Sequence, residues 1–438
     1  MLTIRSSEPI ICNILPMFEK IRNKTKTVLL WSQRYTKTDM LYLAKGGFWL
    51  TSGNIVSIIL AFFLAIVSAN YLPKELFGTY KYVISMASIF LVFSLRSGME
   101  TSLTRSVARG YNGSLIPAIK ASVKWGTTSG LISIAVAFYY FLHQNTVLGY
   151  AFLIIAGFLP LKDNLSLYLS WLTGKKNFAR FSAYNIANQI ISSATLILAI
   201  IFTQNLFLIL LAYFAPRVAV HTILLIKTNR EIPKDAKQDP ETISYGIHLS
   251  VIRILSELAG QLDNILVWNS LGAAPLALYS FATAPTNQMR SLLKGGIFPL
   301  SFPKLAQRTV DELKKTLPRK LFIMLGFIAA IVTAYIFAAP YLFKIFFPRY
   351  MDSVFFSQIF ALTLLFLPRG ILTDAIVIHA STKKVYFFTL SSAVIKIVCL
   401  VILVHLFGIL GAVFAYIVTE LYLVVLSVIL LFREKKDF

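Results

Sequence analysis

The stretch Gly47–Ala69, GFWLTSGNIVSIILAFFLAIVSA, runs for 23 residues without a charged side chain. A helix that crosses the hydrocarbon core of a bilayer needs about 20 predominantly apolar residues. A short break holding Pro73, Lys74 and Glu75 follows, then a second apolar run, Tyr80–Leu103. The alternation continues through Ala121–Leu142, Val147–Leu172, Phe181–Phe202, Leu206–Ile226, Tyr245–Trp268, Leu276–Phe298, Leu321–Leu342, Val354–Ile378, Val385–Leu406 and Ile409–Phe432. Outer-membrane strands are about 10 residues of alternating polarity, which these runs are not. Lipid cannot satisfy free backbone groups, so twelve helices are expected. The fold class read from this pattern is an all-α polytopic membrane protein.

Composition agrees. The chain has 438 residues, 57% hydrophobic and only 14% charged, against about 25% charged in soluble domains. The formal charge of +23 invites a nucleic-acid reading, but its distribution argues otherwise. Lys and Arg crowd the N-terminal segment, every second inter-run break and the tail. Thirty fall on that side; only Lys74, Lys81, Lys344 and Arg349 fall on the other. Loops retained in the cytoplasm carry such an excess, so both termini are expected inside and the number of spans even. Contact with anionic headgroups accounts for the remaining charge, and no nucleic-acid partner is expected. Cys12 and Cys399 are the two cysteines, too far apart in the topology to pair. No signal-peptide core precedes the first span. The charged, Phe- and Leu-containing segment Phe18–Leu30 has the character of a surface-lying stretch.

The longest mid-chain polar break, Lys227–Ser244 with the run KTNREIPKDAKQDPE, divides the spans into six and six. The expected organisation is an extension over 1–46, a six-helix bundle over 47–227, a linker over 228–244, a second bundle over 245–432 and a tail over 433–438. A shift of 199 residues superposes Asn70 on Asn269, Leu72 on Leu271, Tyr80 on Tyr279, Arg105 on Lys304 and Arg109 on Arg308. Six is even, so such repeats are parallel, related by a pseudo-two-fold axis along the membrane normal.

The first hairpin, AIVSANYLPKELFGTYKYVISMASI (65–89), resembles that of the Wzx-type polysaccharide repeat-unit flippases, in the multidrug/oligosaccharidyl-lipid/polysaccharide exporter superfamily. That group favours Leu-Gly-Pro-x-x-Phe-Gly-x-Tyr; Leu72, Phe77, Gly78 and Tyr80 match, while Pro73 and Lys74 depart. NSLGAAPLALYSFATAP (269–285) is similar to the equivalent second-half hairpin through Leu271, Gly272 and Tyr279. The likeness in layout covers about 45–432. It implies a flippase, with a V-shaped cavity between the halves, that moves polyprenyl-pyrophosphate-linked oligosaccharide from the cytoplasmic to the outer leaflet by alternating access. It implies a bacterial inner-membrane location, a role in O-antigen, capsule or related polysaccharide, membrane lipids as partners, a monomer, and a polysaccharide polymerase and chain-length regulator as partners. Peptidoglycan-precursor flippases usually carry arginine in the first span; Gly47–Ala69 has none. An ion-coupled multidrug exporter of the same fold is the alternative. A membrane polysaccharide polymerase is a remote one, because the longest external loop, about Phe343–Ser353, is too short for such an active site.

No catalytic motif, phosphate loop or zincin pattern occurs. His143, His221, His248, His379 and His405 lack ligand spacing. Catalytic residues, cofactors and metals are therefore not expected. The signal is intramembrane charge. The cations are Arg96, Lys162, Arg217, Arg253, Arg290, Lys294, Arg369 and Lys396; the anions are Glu100, Asp163, Glu257, Asp263, Asp374 and Glu420. Facing lipid, these fourteen would oppose insertion by about 35–50 kcal/mol. They must face one another or a wet cavity. Arg96 with Glu100, and Arg253 with Glu257, lie at i,i+4 and can each neutralise themselves. Arg290 and Lys294 share that spacing with like sign, so they want an external anion or a carboxylate from Glu257 or Asp263. Pyrophosphate would suit the planar guanidinium fork.

The candidate substrate cavity is thus Arg96, Arg253, Arg290, Lys294, Arg217 and Lys162. Glu257, Asp263, Glu100 and Asp163 are the coupling or ion-pair carboxylates, Glu257 being the candidate protonation switch. Asn185, Asn188 and Gln189, with Thr51, Ser52 and Asn54, are candidates to hydrogen-bond sugars or neighbouring helices. Pro285 is expected to kink the eighth span. A net intramembrane charge of +2 favours an anionic cargo over a cationic drug.

Overall fold

The computed structural model describes the backbone of residues 40–306, 310–379 and 382–430, with side chains over 46–49, 51–293, 318–319, 321–376 and 383–430. The Phe18–Leu30 segment and the side chain of Lys294 lie outside these described residues.

Helices follow the apolar runs. They are α1 (Met40–Tyr71), α2 (Lys74–Leu91), α3 (Arg96–Ala108), α4 (Leu115–Leu142), α5 (Thr146–Phe158), α6 (Tyr168–Gly174), α7 (Phe178–Phe202), α8 (Leu206–Asn229), α9 (Thr242–Ala259), α10 (Leu262–Leu271), α11 (Ala273–Ala306), α12 (Val310–Phe346), α13 (Ser353–Ala361), α14 (Arg369–His379) and α15 (Thr382–Val428). Seven described helices are long and apolar enough to cross a membrane singly; α13 and α14, bent by 43°, add an eighth as a broken span. The other runs fall short of that test for physical reasons. The fourth run breaks at Pro160 and the seventh between α9 and α10, so neither offers one unbroken helix of bilayer length. A single straight α15 of 47 residues would be about 70 Å long, more than twice a bilayer core. It is divided at Gly408, whose φ of 58° and ψ of −130° are closed to residues with a Cβ. The molecule is an all-α polytopic membrane protein whose helical stretches coincide with all twelve runs.

Asparagines start several spans. Asn145, Asn177 and Asn205 each accept a backbone N–H from the first turn of α5, α7 and α8, satisfying donors that lipid could not. Helices α8 and α11 continue through Pro216 and Pro285 without a break.

Two small-residue crossings join the halves along the second span. A Cβ on Gly78 of α2 would stand 1.9 Å from the carbonyl oxygen of Ala273 in α11. A Cβ on Gly98 of α3 would stand 2.2 Å from that of Gly246 in α9. Ser250 reinforces the second crossing: Gly98 N donates to its Oγ at 2.9 Å. The halves therefore touch along the second span at both levels, near the linker face and near the opposite face. Between those crossings Tyr82 stacks on Trp268 at 4.5 Å, and Asn264 Nδ2 donates to Ser85 Oγ at 3.0 Å.

The linker is docked. Gly113 N donates to Lys237 O at 3.0 Å, and Asp239 N to Ser114 Oγ at 2.9 Å. Ser106 donates to Asp239 Oδ2 at 2.6 Å, and this bond holds the Asp239 carboxyl below its ordinary range. Arg180 donates to both oxygens of Glu231, at 2.6 and 2.5 Å, and lowers that carboxyl likewise.

Candidate functional site

Two broken spans build the first charged cluster. The second span ends α2 in a 3₁₀ turn, Val92–Ser94, and then passes through Leu95 in the left-handed region at φ 55°. A Leu there costs about 1–2 kcal/mol. The turn persists because its carbonyl accepts from Ser250 Oγ at 2.5 Å. Its effect is to start α3 at Arg96, aimed at the fourth span.

The fourth span breaks where Pro160 has no N–H to give. Asn164 Nδ2 donates to Pro160 O at 2.9 Å and closes the turn. The carbonyl of Asp163, freed from a continuous helix, accepts from Arg96 Nε at 2.9 Å and from Ser166 Oγ at 2.7 Å. Arg96 also reaches Ser166 Oγ at 3.0 Å and pairs with Glu100. The expected i,i+4 pair is thus formed. Lys162, only 5% exposed, lies 3.3 Å from Asp163 Oδ2 and over the rings of Tyr213 and Phe214 at 5.4 and 5.5 Å. Arg217 lies 4.4 Å over the Tyr213 ring.

Arg253 turns away from Glu257. Its NH1 donates to Ser97 O at 3.0 Å across the α3–α9 crossing, and the expected intrahelical ion pair does not form. Glu100 stands within electrostatic range of Arg96, Asp163, Arg253 and Glu257. The structure thus gathers Arg96, Glu100, Lys162, Asp163, Arg217, Arg253 and Glu257 into one neighbourhood.

The second cluster lies in the other half. Arg290 on α11 donates to Thr363 Oγ1 at 2.7 Å and to the Tyr416 hydroxyl, and its guanidinium lies 4.8 Å over the Tyr416 ring. Its Nε is buried without a partner. Neither Glu257 nor Asp263 takes it. Asp263 instead accepts from Tyr279 Oη at 2.8 Å, with its second oxygen buried and unpartnered. Arg369 pairs with Glu420 at 2.8 Å, both largely buried. Asn188, a candidate sugar contact, is engaged with His221 at 3.4 Å inside the first half.

Lys81 is a residue that the charge pattern misplaces. It begins the second run and reads as a loop cation. In the structure α2 starts at Lys74, so Lys81 sits two turns into a membrane helix. It stands within electrostatic range of Tyr213 in the first half and Asp263 in the second. Position relative to the helix start, rather than to the apolar run, was the missing signal.

The sequence matches the family described as "Polysaccharide biosynthesis protein" over residues 43–307, well over half of the chain. The chain belongs to this family. Its fold is similar to that of "Lipid II flippase MurJ, inward closed conformation", at 14% identity, TM-score 0.64 and 86% coverage of each chain. It is also similar to "Crystal structure of MATE in complex with MaD5", at 12% identity and TM-score 0.59, over 87% of this chain and 94% of that one. An outward-facing multidrug resistance MATE family transporter of the MOP superfamily aligns at 15% identity and TM-score 0.52, over 87% and 93%. No curated protein matches by sequence.

Proposed function

We propose that this protein is a flippase for polyprenyl-pyrophosphate-linked oligosaccharide repeat units of a surface polysaccharide such as O-antigen or capsule. It resides in a bacterial inner membrane, acts as a monomer, and hands cargo to a polysaccharide polymerase and its chain-length regulator. Arg290 carries the reading. A guanidinium within the bundle, held by two neutral hydroxyls and with an unpartnered buried Nε, is an anion site awaiting its anion. Its five donors and planar fork match phosphate oxygens. Arg96, Arg217 and Lys162 in the first half, with Arg253 reaching across from α9 of the second, extend the positive path, moderated by Glu100, Asp163 and Glu257. Lys294, on the same helix as Arg290, and Asp263 complete the set in the second.

Arg290→Ala is expected to abolish surface polysaccharide while protein level is retained. Arg290→Lys should be partly active, because charge persists and the fork is lost. Normal polysaccharide in a well-expressed Arg290→Ala strain would refute this reading.

The direction of transport needs the linker face to be cytoplasmic. Cysteines at Asn145, Ser270 and Phe407 are expected to react with an impermeant thiol reagent in intact cells, and those at Asn177 and Lys237 to stay silent. External labelling at Lys237 would reverse the orientation.

A further inference from the structure

A cavity of about 170 Å³ lies inside the second half, walled by Ser256 and Gly260 at the end of α9 and by Ser392, Lys396, Tyr416 and Glu420 from the two arms of α15. It is separate from the Arg96–Asp163 cluster and shares only Tyr416 with the Arg290 site. Its hydrogen-bonding inventory is lopsided. Ser392 and Thr419 spend their hydroxyl protons on Thr389 O and Ala415 O, at 2.7 Å each, and so retain only acceptor lone pairs. Tyr416 already accepts from Arg290, which leaves its own proton free to donate. Glu420 is neutralised by Arg369. Lys396 is not neutralised: its ammonium lies 5.9 Å from the Tyr416 ring, and among the described residues no carboxylate stands within ion-pair distance of it. A cation in mid-helix, costly to insert, thus faces a polar chamber whose lining carboxylate, Glu420, is already paired with Arg369. Gly260 opens the wall, since α9 stops there and α10 begins two residues later; both Ser256 and Gly260 are exposed.

We infer that this cavity is a second binding site, for a pyranose carrying one oxyanion group. The ammonium and the Tyr416 hydroxyl supply donors for the oxyanion; Ser392, Thr419 and Ser256 supply acceptors for sugar hydroxyls. The chamber is of the order of one hexose in size. The inference deepens the flippase reading and rests on it: Arg290 and Lys396 flank one tyrosine, so a cargo held by pyrophosphate at the first would place an acidic sugar near the second. The oxyanion is a carboxylate or a phosphate, and the experiment separates the two.

Full-length protein in lipid nanodiscs is titrated with radiolabelled glucuronate, glucose 6-phosphate, glucose and inorganic pyrophosphate. One of the two acidic sugars is expected to bind about tenfold or more tightly than glucose, the scale of one charge-assisted hydrogen bond, and which one does so identifies the oxyanion. Lys396→Gln should erase that preference and leave pyrophosphate binding intact. Ser256→Leu, which fills the chamber and keeps the charge, should weaken the acidic sugar as well, and decides the matter if Lys396→Gln does not fold. Acidic sugars that bind no better than glucose, or a preference that survives the substitution, would overturn the site. Pyrophosphate tests the flippase reading separately. If its binding is indifferent to Arg290→Ala while the acidic sugar still depends on Lys396, the cargo assignment falls and the cavity stands.

Discussion

In the first half, Arg96 bonds Glu100 and Lys162 lies beside Asp163. In the second, Arg290 and Lys396 both lean on one neutral tyrosine, Tyr416, while Arg369 has a carboxylate partner, Glu420. The two halves carry the same net intramembrane charge and arrange it differently. Cations matched by anions in the same half are largely neutralised before cargo arrives. Cations matched by hydroxyls are oriented but keep their charge. Hydroxyls orient a guanidinium at modest cost, whereas a carboxylate would compete directly with an incoming phosphate. Cation count is therefore a poor guide to an anion site; the identity of the partner decides.

The comparison breaks first at Asp163. Lys162 is almost fully buried while Asp163 is 30% exposed, so the ammonium end of the pair is the desolvated one. Losing one partner of a fully buried pair costs about 3–5 kcal/mol, while replacing both by apolar residues is often neutral. The open side of Asp163 screens part of that cost, so Asp163→Leu is expected to lower thermal stability in nanodiscs by about 2–3 kcal/mol, and Lys162→Met with Asp163→Leu to return to within about 1 kcal/mol of the parent. The Tyr213 and Phe214 faces offset part of the loss in the single variant. A single substitution costing under about 1 kcal/mol would mean that water reaches the pair, and the contrast between the halves would lose its basis.

Much of this was legible from residues alone, and the failures have physical causes. Twelve apolar runs predict the helical stretches because insertion into lipid is governed by length and hydropathy, both local properties. Where those stretches break is set partly by tertiary contacts. Leu95 adopts a left-handed turn because Ser250 of another helix donates to its carbonyl, and nothing near Leu95 in the sequence announces that. The fourth span has a local cause for its break, the N–H that Pro160 lacks, although Val147–Leu172 reads as one continuous run. Pro216 and Pro285 leave their helices unbroken. The i,i+4 rule was right for Arg96–Glu100 and wrong for Arg253–Glu257. In the second case a carbonyl across the crossing, Ser97 O, competes with the carboxylate along the helix. Lys81 was missed for a related reason, since the edge of an apolar run is not the edge of a helix.

The smallest effect lies on the linker face, where a pair with better geometry than Lys162–Asp163 should matter less. Arg180 grips Glu231 with two bonds, yet both side chains are about one-third exposed. Water solvates each ion when the pair opens, so exposed pairs contribute about 0.2–1 kcal/mol. Glu231→Gln is accordingly expected to shift melting by about 1 °C or less at moderate salt. The pH dependence has a definite sign. Arg180 holds the Glu231 carboxyl below its ordinary value. The pair's contribution is then fully present above the unfolded value of about 4.3 and fades as pH falls through the lower folded value. Amide exchange of 231–242, corrected for its intrinsic pH dependence, should be unchanged between about pH 8 and 5 and should quicken only below about pH 4. If Glu231→Gln instead destabilises as much as Asp163→Leu, burial is not what separates strong pairs from weak ones in this molecule, and the docked linker carries a structural role equal to that of the buried pair.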